Sequence, residues 1–212
     1  IEIRAQVVDR FGSVGLYVLL TESLCRLPIL ETARAVLEGG ADAVQLREKD
    51  KSDGELLALA RDLRQLCHQH SALFLMNDRA DLAKLSGADG VHLGQEDLPV
   101  GEARKLVGPG KVVGKSSHSL EEAQRVLEEG ADYIAVGSVF GSRTKPLVVR
   151  SGLELISQVS LICERPLMAI GGIDSGNAHE AIHAGANGLA VCRAIVGAQN
   201  PHDQVVKINE KG

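Results

Sequence analysis

Glu38-Gly39-Gly40-Ala41-Asp42 runs directly into Ala43-Val44-Gln45-Leu46, and the same phrase returns three more times along the chain. Ser86-Gly87-Ala88-Asp89 precedes Gly90-Val91-His92-Leu93, and Glu129-Gly130-Ala131-Asp132 precedes Tyr133-Ile134-Ala135-Val136. Ala184-Gly185-Ala186-Asn187 precedes Gly188-Leu189-Ala190-Val191. Each copy reads as a helix ending at a glycine that can take the left-handed C-cap conformation, then a tight turn, then a short apolar strand. The glycines at 40, 87, 130 and 185 are spaced 47, 43 and 55 residues apart. A βα unit of a barrel takes roughly 25 residues, so each interval holds two units. The gaps supply the missing strands: Phe74-Leu75-Met76, Val112-Val113-Gly114-Lys115 and Leu167-Met168-Ala169-Ile170, with Leu16-Tyr17-Val18-Leu19-Leu20 near the start. Helical patterns such as Glu55–Ala60 and Leu120–Leu127 lie between them. The sequence therefore predicts a single (β/α)8 TIM barrel over residues 1–212, with 1–14 reading as an N-terminal extension or linker ahead of the first strand. An open doubly wound sheet is the alternative, disfavoured because no G-x-G-x-x-G follows the first strand.

Composition narrows the function. The net charge is -5 with signs mixed, so no basic surface advertises nucleic acid. Trp is absent, and Phe11, Tyr17, Phe74, Tyr133 and Phe140 are too few and scattered for a base-stacking platform. The core falls to Val, Ile, Leu and Ala, as in a buried parallel sheet. Cys25, Cys67, Cys163 and Cys192 lie far apart without a C-x-x-C pair, and read as buried thiols of a reducing compartment, the cytoplasm. No run is long enough to span a membrane, no signal peptide is recognisable, and the chain opens on Ile1 rather than Met. The partners expected are small phosphorylated molecules, with neither nucleic acid nor membrane; a homo-oligomer is allowed.

In such a barrel the active site lies where strands end, so residues distant in sequence can meet there. After the second strand come Arg47 and Lys49, alternating with Glu48; after the third, Asn77 and Asp78; after the fourth, Gln95 and Asp97. After the fifth comes Lys115-Ser116-Ser117-His118, and after the sixth Gly141-Ser142-Arg143-Thr144-Lys145. Gly171-Gly172-Ile173 follows the seventh and Cys192-Arg193 the eighth. Arg and Lys bind phosphate oxygens, and carboxylates hold Mg2+, a hard cation. Loops after the last two strands of a barrel often bind phosphate through backbone N–H groups. One rim thus promises two anion sites, one with metal and one without.

Read in order, Q-L-R-E-K at 45–49, N-D-R at 77–79, H-L-G-Q-E-D at 92–97, G-K-S-S-H at 114–118, S-R-T-K at 142–145 and A-I-G-G-I at 169–173 resemble the thiamin phosphate synthase family, from Leu16 to about Ile195. The resemblance implies a transferase joining hydroxymethylpyrimidine diphosphate to a thiazole phosphate, or its carboxylated form, with release of diphosphate. It implies that Gln45, Arg47, Glu48, Lys49, Asn77, Ser116 and Lys145 take the pyrimidine diphosphate, with Arg47, Lys49, Ser116 and Lys145 carrying the reaction. By the same resemblance Asp78 and Asp97 hold Mg2+, while Ser142, Arg143, Thr144, Gly172, Cys192 and Arg193 receive the thiazole phosphate. The chain departs from the family where Gly141 and Arg143 stand in the loop after the sixth strand, and where Arg193 replaces a Ser. Residues 141–151 read as a lid.

Plainer readings compete at each position. Arg47 could pair with Glu48 at the surface, Asp78 could cap a helix, Asp97 could be a turn residue, and Gly171-Gly172 a left-handed turn. Lys145 could be a solvated loop lysine. His92 is expected to face the barrel wall in a structural role, His118 is ambiguous, and His179 and His183 share a helix face without a third ligand. These readings lose force together, because surface charges do not gather after consecutive strands of one barrel face. A related thiazole tautomerase, to which Ser117-His118-Ser119 and Val139-Phe140 are similar, and a degenerate binding barrel are the rival functions. Retention of Asp78 and Asp97 beside Arg47 and Lys49 favours the synthase, since an isomerase has no leaving diphosphate.

Overall fold

The computed structural model describes residue 7, residues 9–141 and residues 152–211. Eight parallel strands close in chain order: β1 (Leu16–Leu20), β2 (Ala43–Leu46), β3 (Leu73–Asn77), β4 (Gly90–Leu93), β5 (Val112–Ser117), β6 (Tyr133–Val136), β7 (Leu167–Ile170) and β8 (Gly188–Val191). Outside them lie α1 (Ile29–Glu38), α2 (Asp53–Gln69), α3 (Ala80–Ser86), α4 (Val100–Val107), α5 (Leu120–Glu128), α6 (Gly152–Ser160), α7 (Ala178–His183), α8 (Arg193–Val196) and α9 (Pro201–Asn209). Pairing of β8 with β1, Leu16 opposite Leu189 and Val18 opposite Val191, seals the barrel and excludes the open sheet.

The repeated phrase now has a physical cause. Gly40, Gly87, Gly130 and Gly185 all take positive φ, from 75° to 111°, which ends each helix and turns the chain back under the sheet. The acidic or amide residue two places on then closes the N-terminal edge of the preceding strand. Asp42 Oδ2 accepts from the Gly15 and Leu16 N–H groups, and Asp89 Oδ2 from Phe74 N–H. Asp132 Oδ2 accepts from Val113 N–H, and Asn187 Oδ1 from Leu167 N–H. Each even strand thus satisfies backbone donors that the odd strand before it would leave unpaired.

Strand alternation makes two cores. Val18, Leu20, Val44, Leu46, Phe74, Met76, Val91 and Leu93 face outward against the helices. Tyr17, Leu19, Leu73, Leu75, Val112, Tyr133, Ala135, Met168 and Ala190 fill the barrel interior. Helical residues 9–12 seal its N-terminal end: Phe11 is buried, stacks on Tyr133 with ring centroids 4.1 Å apart, and meets Tyr17 edge-on at 5.9 Å. A Cβ on Gly114 would sit 2.0 Å from the Tyr133 ring, so the mid-strand glycine makes room for that side chain. Only Cys67 meets the expectation of buried thiols; Cys25, Cys163 and Cys192 are half-buried, and all four are free. No helix among the described residues is long and apolar enough to cross a membrane.

Candidate active site

The C-terminal ends of β2, β3 and β4 bring the charged residues together. Arg47 N–H donates to the Leu20 carbonyl, and Thr21 Oγ1 donates to the Arg47 carbonyl, which pins the loop after β2 beside β1. Asp78, next after β3, takes φ 60°, a left-handed conformation that Asp tolerates better than most residues. The capping role fails: Arg79 is the N-cap of α3 and makes no side-chain cap bond. Arg79 instead bonds Asp53 and Asp81 on the helix side, away from the site. Asp97 both holds its turn, accepting from Gly94 N–H at 2.6 Å, and lies against Asp78. Burial first, then the hydrogen bond and charge of Asp97, pushes the Asp78 carboxyl up to about 6, against the pull of Lys49 and Arg47. The structure thus brings Arg47, Lys49, Asp78 and Asp97 to one place. Glu48 turns from it, its carboxylate taking the Glu22 N–H of the loop after β1.

A pair of crowded carboxylates flanked by cations suits Mg2+, which takes one or two carboxylates and completes its octahedral shell with water and substrate phosphate oxygens. Among the described residues there is no cluster of three or more His, Cys, Asp or Glu that could hold a metal by protein ligands alone.

Beneath the charges runs a line of polar side chains inside the barrel. Gln45 Nε2 donates to Tyr17 Oη at 2.7 Å, and Tyr17 Oη lies 3.3 Å from Tyr133 Oη. Tyr133 Oη is 2.8 Å from His92 Nδ1, whose Nε2 is 2.8 Å from Ser116 Oγ. Gln95 Nε2 holds the Ser116 carbonyl. Burial pushes His92 down to about 4, so its ring is neutral at pH 7; both tyrosine hydroxyls are pushed well up. The expectation that His92 faces the barrel wall is corrected: alternation along β4 sends Val91 and Leu93 outward and His92 inward. In the G-K-S-S-H segment Ser116 likewise points inward, whereas Lys115 pairs with Glu129 outside the strands, 3.0 Å away. His118 is exposed, its Nδ1 bonded to the Gly137 carbonyl at 2.6 Å. Asn77 ends β3 half-buried at the same rim.

The ends of β7 and β8 build a different surface. A cleft of about 710 Å³ is lined by Phe140, Ile170, Gly171, Gly172, Cys192 and Arg193, among others. The chain after β6 continues to pair with β7: Val139 N–H donates to the Ile170 carbonyl and Phe140 N–H to the Gly171 carbonyl. Gly171 and Gly172 take φ of 102° and 68°. A Cβ would fall 2.3 Å from Ser138 Oγ at the first and 2.2 Å from the Phe140 carbonyl oxygen at the second. They are therefore more than a loose turn, since only glycine allows the two loops to approach. Asn177 Nδ2 fixes the Gly172 carbonyl at 2.9 Å. Cys192 is the N-cap of α8, its thiol pushed up to about 11 chiefly by burial, and Arg193 is exposed. Ser142, Arg143, Thr144 and Lys145, with the expected lid over residues 142–151, lie outside the described residues.

Fold and rim together define a (β/α)8-barrel protein with its polar groups gathered at the carboxyl ends of the strands. Comparison with known proteins makes this specific. The family model for thiamine monophosphate synthase matches residues 16–195. The chain belongs to the thiamine monophosphate synthase family. It is 44% identical over 197 residues to a thiamine-phosphate synthase of Synechocystis sp., covering 93% of this chain and 57% of that protein. It is 45% identical to a thiamine-phosphate synthase of Chlorobium phaeobacteroides, covering 90% and 93%. A solved thiamine phosphate pyrophosphorylase from Pyrococcus furiosus superposes with a TM-score of 0.87 at 37% identity, covering 95% of this chain and 96% of that one. The chain spans about half the length of its cyanobacterial relatives, 57% and 49% for the Synechocystis and Nostoc sp. proteins.

Proposed function

We propose that this barrel is a Mg2+-dependent thiamin phosphate synthase of the cytoplasm, joining 4-amino-2-methyl-5-hydroxymethylpyrimidine diphosphate to 4-methyl-5-(2-hydroxyethyl)thiazole phosphate. The observation that carries the reading is the meeting of Arg47, Lys49, Asp78 and Asp97 at one rim, in a member of this family. The departing diphosphate gathers charge on its oxygens in the transition state, and Arg47 and Lys49, beside Asp78, are placed to stabilise that charge. Asp78 and Asp97 hold Mg2+, which when bound neutralises diphosphate oxygens. The aminopyrimidine ring delocalises positive charge at its methylene as the C–O bond breaks, so no enzyme nucleophile is needed. The thiazole nitrogen then attacks that carbon. Gln45, Asn77 and Ser116 position the pyrimidine side. Gly172 and the backbone at Cys192 and Arg193 receive the thiazole phosphate, and Lys145, Ser142, Arg143 and Thr144 complete the two sites. The rival isomerase has no use for the paired carboxylates.

The test is a synthase assay with the purified protein, both phosphorylated substrates and Mg2+, with thiamin phosphate followed by fluorescence after oxidation. Metal-dependent product is expected. Folded protein that makes none overturns the reading.

A further inference from the structure

The buried line from Gln45 to Ser116 includes three residues, Tyr17, Tyr133 and His92, that the proposed reaction does not use. Their hydrogen bonds can be ordered. An amide nitrogen only donates, so Gln45 Nε2 gives its proton to Tyr17 Oη. Among the described residues the Tyr17 hydroxyl proton has no acceptor but Tyr133 Oη, so Tyr17 donates there; Tyr133 in turn donates to His92 Nδ1. With Nδ1 an acceptor, neutral His92 carries its proton on Nε2 and donates to Ser116 Oγ. Ser116 therefore keeps its own O–H free to donate. At the other end Gln45 Oε1, fully buried, has no hydrogen-bond partner among the described residues. Turning the Gln45 amide over would reverse every bond and bury an unpaired NH2 instead of an unpaired carbonyl. Orphaned buried donors are the rarer and worse case.

We infer that Tyr17, Tyr133 and His92 form a one-way hydrogen-bond chain that fixes Gln45 as an acceptor and Ser116 as a donor toward the bound substrate, and so makes the site select a 4-aminopyrimidine over its 4-oxo counterpart. The inference rests on the proposed function for the identity of the ring. An exocyclic amino group satisfies Gln45 Oε1; an oxo group there sets two acceptors against each other. The three residues touch no substrate and act by positioning the two that do. Sites built to meet a polar substrate group reject the analogue lacking it by factors of up to about 10⁴–10⁵. Removing one link lets the Gln45 amide turn over and lowers that discrimination.

Two measurements test this. In histidine-15N-labelled protein without ligand, His92 should show a pyridine-type Nδ1 and a protonated Nε2 at pH 7. The opposite tautomer overturns the stated direction. In Tyr17→Phe, which keeps the ring against Phe11, the ratio of kcat/KM for the amino diphosphate over its 4-oxo analogue should fall at least about tenfold. Equal losses on both, with the ratio unchanged, would mean that Tyr17 only supports the fold. If the wild-type protein turns over neither ring, the proposed function and the selectivity fall together, while the tautomer still decides the direction of the chain.

Discussion

The two halves of the rim are built by different physics. At β2–β4 the work is done by side-chain charge: Arg47, Lys49, Asp78 and Asp97 crowd together, and the Asp78 carboxyl is pushed up to about 6. At β6–β8 it is done by backbone shape: two positive-φ glycines let the loops after β6 and β7 touch, and they line a cleft together with Phe140, Ile170, Cys192 and Arg193. A charge-built site is sensitive to loss of a head group and tolerant of small shifts. A shape-built site is sensitive to an added Cβ and tolerant of side-chain exchange. Under the proposed function, that contrast would let Arg193 stand where the resemblance expects Ser, because a backbone contact survives the exchange.

The sharpest break should come from the charged half. Lys49→Ala or Arg47→Ala should lower kcat/KM for the diphosphate substrate by about 10²–10³-fold, the range seen when one transition-state donor is removed. Steady-state kinetics with saturating thiazole phosphate would show it, and unchanged constants would put the diphosphate elsewhere. Next, Gly172→Ala forces a Cβ to 2.2 Å from the Phe140 carbonyl oxygen at a φ of 68°. It should raise KM for the thiazole phosphate by about tenfold, roughly 1.4 kcal/mol, and leave KM for the diphosphate nearly alone. Both KM values moving together would deny that the halves are separate.

A smaller effect lies in the pH dependence of stability. Asp78 titrates near 6 when folded against an ordinary 3.8, so its contribution is present below 3.8 and lost as pH rises through about 6. His92, lowered from 6.5 to about 4, contributes stability present above 6.5 and lost as pH falls through about 4. In metal-free buffer the two slopes oppose each other. Asp78→Asn leaves the His92 slope alone, so between pH 7 and pH 4.5 its Tm should drop about 2–4 °C further than the wild type's. Parallel curves in calorimetry would contradict the crowding of Asp78 by Asp97. Smallest of all, Arg193→Ser should change KM for the thiazole phosphate by no more than about twofold, as expected of an exposed residue. A large change would show that the guanidinium binds the phosphate directly.

The barrel was legible because its punctuation repeats. Four glycines needing positive φ and four Asp or Asn residues needing strand-edge donors recur in step, so local chemistry announced the topology. The charged half of the rim was legible for a related reason: its residues follow strand ends directly, and the ends of a barrel converge. The internal chain was not. Tyr17, Gln45, His92, Ser116 and Tyr133 come from five strands, and nothing in the alternation of short apolar runs says which face is inside, so from sequence His92 reads as facing the wall. Gly114 was the available signal, a mid-strand glycine that marks the close approach of another group, here the Tyr133 ring. The double glycine at 171–172 was visible, yet its need depends on Ser138 and Phe140 over thirty residues away, a contact no local pattern encodes.

Phe11 has a bearing on protein engineering. Its ring stacks on Tyr133 from below, so the segment that leads into β1 is also the floor on which the internal chain rests. Anyone grafting a module ahead of this barrel, or shortening it, has to treat the residues from Phe11 onward as barrel rather than tether. A junction placed at Gly12 would leave the strands intact and take away the surface that keeps Tyr133 upright.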